Sequence, residues 1–79
     1  MDYTTLTLAQ LASVIRRDWV TVYYGASPYI HAMSSLNSID DNYYLDDART
    51  IVLYFLSNAS TWRGEVARKV KAELKRRCK

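Results

Sequence analysis

The stretch that decides the fold is DDARTIVLYFLSNA, residues 46–59. Within it Ala48, Ile51, Val52, Phe55, Leu56 and Ala59 recur at i, i+3, i+4, i+7, i+8 and i+11, the spacing that lines one face of an α-helix. Asp46 and Asp47 precede the run, where carboxylates meet the positive end of a helix dipole. IVLYFL is also β-branched and aromatic enough for a buried strand, but a strand leaves the six-position periodicity without a cause. The reading is a helix over about 47–59. Leu53 and Tyr54 extend its apolar surface almost all round, so it is expected to be the central, most buried helix.

Working outward, Asn58 to Ser60 interrupts the pattern, and Ser60 or Thr61 can cap a final helix over 61–77. Trp62, Val66, Val70, Leu74 and Cys78 step by four along a narrow stripe, supported by Ala67. Glu65 with Lys69 and Glu73 with Arg77 form the favourable Glu-first i,i+4 pairs. Upstream, NSIDDNYYLDD (37–47) is polar, acidic and aromatic without period, and reads as a long acidic loop. Ser27-Pro28 starts a shorter helix, to about residue 37, carrying Ile30, Met33 and Leu36. The first helix opens at Thr7, with Gln10 completing a capping box and Leu6 and Leu11 placed for a hydrophobic staple. Leu8, Leu11, Ala12, Ile15 and Trp19 form its apolar stripe, and Gly25 is a stop signal. Residues 20–24 suit either a last helical turn or an extended stretch; the reading favoured is helix to about Tyr23. The expected fold is all-α: a compact bundle of about four helices (7–23, 28–37, 47–59, 61–77) with an acidic loop at 37–47, making a single helical domain over 1–79.

Composition narrows the function classes. Seventy-nine residues, 49% hydrophobic and 24% charged, suit one small domain whose stability is marginal, so self-association or a partner is expected to help. Two glycines and one proline argue against disorder, collagen and a turn-rich β-sandwich. A single cysteine, Cys78, allows neither an internal disulfide framework nor a multi-cysteine zinc site, and points to a reducing cytosol. Neither an apolar run of membrane-spanning length nor a signal-peptide layout is seen, so membrane insertion and secretion are not expected. The net charge of +3 hides an asymmetry: residues 1–60 carry −3 and residues 61–79 carry +6.

Chemistry has little raw material. His31 and Cys78 lie far apart in sequence with nothing local to orient either, and the motifs of phosphate loops, zinc proteases and serine hydrolases are missing. Basic neighbours could lower the Cys78 pKa, yet a bystander thiol in the last turn is the plainer reading. Asp40, Asp41, Asp46 and Asp47 lack the alternating ligands, sixth-position glycine and twelfth-position glutamate of a calcium loop. The expectation is therefore a non-enzyme without cofactor or metal. Asp40, Asp41, Tyr43 and Tyr44 are the candidate partner-binding residues, large contact groups among carboxylates that could dock on a basic surface. Packing of one of the two tyrosines into the core is the competing use. Arg63, Arg68, Lys69, Arg76 and Arg77 are the candidate nucleic-acid-binding residues of an alternative reading, although the cations circle much of their helix and no reader motif precedes them.

The segments IVLYFLSNASTWRGEVARKVKAELKRR, IRRDW and YYGASPYIHAMSSL resemble a group of short proteins encoded in phages and prophages of proteobacteria, over nearly the whole chain. The resemblance implies a phage accessory protein working in the cytoplasm of a bacterial host. Small proteins of this kind often inhibit host defence, anti-CRISPR proteins being the best-known class, and act by stoichiometric binding to a Cas effector. The expectation is such an inhibitor; the alternatives are a small basic nucleic-acid-binding accessory protein and a self-associating structural protein whose exposed tyrosines pair across a two-fold axis.

Overall fold

In the computed structural model, which describes residues 2–79, a 3-10 turn at Tyr3–Thr5 leads into α1 (Leu8–Asp18) and α2 (Ser27–Met33). A two-stranded antiparallel hairpin, β1 (Asn42–Tyr43) and β2 (Asp46–Asp47), follows, then α3 (Ala48–Ser57) and α4 (Glu65–Arg77). The all-α bundle expected from the periodicity is the architecture that forms.

Local chemistry explains each boundary. Thr7 caps α1 by accepting the Gln10 N–H at 3.0 Å while the Gln10 side chain accepts the Thr7 N–H at 2.8 Å, completing the capping box. Two further N–H groups at that end, those of Leu8 and Ala9, donate to the carbonyls of Asn37 and Leu36. α1 stops at Asp18, not near Tyr23, because Trp19 leaves helical geometry (φ −92°, ψ 83°) to bury its ring, and Val20 to Tyr23 follow without helical structure. α2 stops at Met33, short of residue 37: Ser34 and Ser35 turn their hydroxyls back onto the carbonyls of His31 and Ala32, and the turn brings Leu36 and Asn37 to the start of α1.

α3 begins where the aspartates predict, Asp47 accepting the Thr50 N–H at 2.7 Å. Its burial is one-sided. Ala48, Ile51, Val52 and Phe55 are buried, but Leu53 and Tyr54 are exposed, so the helix is not covered all round as expected, Tyr54 meeting only the Tyr29 ring of α2 at 5.6 Å between centroids among the aromatic contacts described. α4 begins at Glu65 and not at residue 61. Its cap is Gly64 at φ 112°, a left-handed position that favours glycine, and Ser60 and Thr61 lie in the preceding turn.

Trp62, expected on the first turn of that helix, precedes it and enters the core. Its indole stacks on Trp19 (centroids 5.8 Å, 13° between planes), and both rings meet Phe55 edge-on at 6.3–6.4 Å. Trp62 Nε1 donates to Asp18 Oδ2 at 2.8 Å, and Lys71 Nζ donates to the Trp62 carbonyl at 2.6 Å. This aromatic triad ties the end of α1, the end of α3 and the approach to α4 into one cluster with Leu8, Leu11, Ile15, Ile30, Met33, Val70 and Leu74. No described helix is long and apolar enough to cross a membrane.

Candidate functional site

Residues 37–47, expected as an irregular loop, are an ordered turn followed by the hairpin. Asp41 builds the turn: its Oδ2 accepts the N–H groups of Asn37 and Ser38, each at 2.9 Å, and its carbonyl accepts the Ala48 N–H at 2.8 Å. These backbone donors, Ser38 foremost, hold the Asp41 carboxyl below its ordinary pKa. Asp47, paired across the strands with Asn42, is lowered likewise by Thr50 as it caps α3. The four aspartates thus divide in two. Asp41 and Asp47 are occupied with backbone, whereas the exposed carboxylates of Asp40 and Asp46 accept no hydrogen bond and make no ion pair among the described residues.

Between the strands lies a two-residue turn, Tyr44-Leu45. Tyr44 sits at φ 56°, the one non-glycine residue at positive φ among those described, at a hairpin position that usually holds glycine, asparagine or aspartate. Its side chain is 88% exposed and Leu45 is fully exposed, while Tyr43 is half-buried against the core with its ring edge-on to Tyr44 at 4.7 Å. Of the four residues singled out from sequence, Asp40 and Tyr44 face solvent, Asp41 is a turn staple, and Tyr43 takes the core-packing alternative. Leu45 and Asp46 were missed as contact groups; an apolar residue wedged between tyrosine and aspartate in a short polar run was their only signal.

The basic candidates also divide. Arg76 and Arg77 both donate to Glu73, which is buried at 6% exposure, through Arg76 Nε (2.9 Å) and Arg77 Nε (2.6 Å) among other contacts. Arg77 further donates to the carbonyls of Tyr3 and Thr4, clamping the 3-10 turn on α4. Arg68 and Lys69 make long, exposed pairs with Glu65 at 3.8 and 3.9 Å. Arg63 makes no ion pair among the described residues.

His31 is exposed on α2. Cys78 is half-buried near Arg49, whose Nε donates to the Cys78 carbonyl at 3.1 Å; burial raises the thiol pKa and outweighs the lowering by the guanidinium, the reverse of the activation a nucleophile needs. Among the described residues no three His, Cys, Asp or Glu side chains are grouped to hold a metal. An open depression between α1 and α4, lined by Tyr3, Val14, Arg17, Asp18 and Val66, has a volume of about 220 Å³, below the usual range of small-molecule pockets. Compared with protein-family models, curated proteins and solved structures, the chain matches none.

Proposed function

We propose that this chain is a non-enzymatic binding module whose hairpin tip docks on a basic surface of a bacterial defence complex, as expected of a phage-encoded, anti-CRISPR-like inhibitor occupying the nucleic-acid groove of a Cas effector in the host cytoplasm. The observation that carries this reading is Tyr44: a bulky aromatic residue at positive φ, with its ring in water, where glycine fits at lower conformational cost. A strained position kept by a large exposed side chain points to work done by that side chain. Tyrosine and leucine at an exposed tip supply a desolvating anchor, and the free carboxylates of Asp40 and Asp46 complement an arginine-lined groove. Asp41 and Asp47, tied to backbone on either side, hold the tip in place before binding, which lowers the ordering cost of association.

The test is the plating efficiency of a targeted phage on CRISPR-immune hosts expressing the chain. Wild type is expected to raise plating well above that of the same host without the chain. Tyr44→Gly, which keeps a turn-compatible backbone, and Leu45→Asp are expected to abolish the rise while remaining folded by circular dichroism. No rise in any CRISPR-immune host overturns the inhibitor reading, and an undiminished rise with both variants overturns the site.

A further inference from the structure

The internal ion pairs of α4 leave a pattern that the raw charge of the segment conceals. Glu73 takes up Arg76 and Arg77 on one flank, and Glu65 holds long, exposed pairs with Lys69 on the same side and with Arg68 at 3.8 Å. At 3.6 residues per turn, Arg68, Lys71 and Lys75 fall within an arc of about 60° on the other flank. The row from Arg68 to Lys75 is about 10 Å long at helical rise. Lys71 and Lys75 make no ion pair among the described residues, nor does Arg63, which stands next to Trp62, the residue whose carbonyl accepts from Lys71 at 2.6 Å; burial, and then repulsion from Lys75 and Arg63, lower the Lys71 pKa. The Lys71 ammonium is fixed by its bond to the Trp62 carbonyl, so part of the ridge is pre-positioned. The residues of the arc are cations with Ala72 beside them, without the amide or carboxylate side chains that read adenine or cytosine edges.

We infer that the ridge of Arg68, Lys71 and Lys75 on α4, with Arg63 just before the helix, is a second interaction surface that binds the phosphate backbone of duplex nucleic acid without sequence preference. Charge complementarity selects this occupant: a row of cations, of which only Arg68 has a carboxylate near it and that at 3.8 Å and exposed, matches a regularly charged strand, and its shortage of apolar and hydrogen-bond-accepting groups does not suit a protein groove. The surface is distinct from the hairpin and does not depend on it.

Fluorescence anisotropy with a labelled 20-base-pair DNA, titrated with the full chain at several salt concentrations, tests the inference. Binding in the micromolar to 100 µM range at low salt is expected, with a log–log salt slope of about −3, the release expected for three to four phosphates. Lys75→Glu should weaken binding at least tenfold and flatten the slope by about one. Lys69→Glu makes the same change in net charge about 120° round the helix and should leave affinity within twofold. Tyr44→Gly should leave it unchanged, so the ridge and the hairpin fail or stand separately. An RNA duplex of equal length should bind within a few-fold, since phosphate is the ligand. Absence of binding at 50 mM salt, equal weakening by Lys69→Glu and Lys75→Glu, or equal competition by polyglutamate at matched charge each overturns the inference.

Discussion

Arg76 and Arg77 converge on the Glu73 carboxylate, and Arg77 continues to the backbone of Tyr3 and Thr4, so one buried anion links the last turn of α4 to the start of the chain. The Arg76 hydrogen bonds pull the Glu73 pKa down from 4.5 to about 2 against the opposing effect of burial, with Arg77 adding to the fall. A carboxylate depressed in the folded state contributes stability that is complete above its unfolded pKa and is lost as pH falls through the folded one. Glu73→Gln should therefore cost about 2 kcal/mol in urea unfolding at neutral pH, and its deficit against wild type should narrow as pH falls from 4.5 towards 2. A deficit that does not change over that interval contradicts the assignment. The Glu73–Arg77 pair was legible as an i,i+4 spacing, but its burial was not, because it depends on the 3-10 turn arriving from the far end of the sequence. Tyr44 was visible as a large residue among carboxylates. Its positive φ was not, since Tyr-Leu carries none of the turn chemistry that announces a hairpin.

Elements were legible where one local signal sufficed. The capping box fixed the start of α1, and Thr7→Ala should destabilise the protein by about 1 kcal/mol, read as a lower urea midpoint at unchanged slope; a change below a few tenths would mean that the Leu36 and Asn37 carbonyls alone satisfy that helix end. Asp47 was equally readable as the cap of α3. Boundaries failed where a distant partner decided them. Trp19 leaves α1 and Trp62 stays out of α4 because each ring lowers its free energy by stacking on the other, and that pairing across the chain leaves no trace in either segment's periodicity. Gly64 shows the same competition: Ser60 and Thr61 are better caps by side chain, yet the helix starts only after Trp62 has reached the core and a glycine can turn the backbone.

At the scale of the molecule, the mild positive charge resolves into two separate surfaces, a hairpin with free carboxylates beside an exposed Tyr44-Leu45 tip and a ridge of cations along α4, among which Lys71 and Lys75 make no ion pair among the described residues. Both are carried by a small bundle centred on Trp19, Phe55 and Trp62. The charge division was countable from sequence; which charges remain free was not, because that depends on Glu73, Glu65 and the turn donors of residues 37–41 and 47–50. The proposed role rests on the hairpin tip, and calorimetric titration against the purified effector complex of whichever CRISPR-immune host shows raised plating tests it most directly. With Tyr44→Gly and Leu45→Asp combined in a folded chain, affinity should fall at least about 100-fold, a loss of roughly 2.7 kcal/mol. Unchanged affinity of that double variant would contradict the tip as the binding surface.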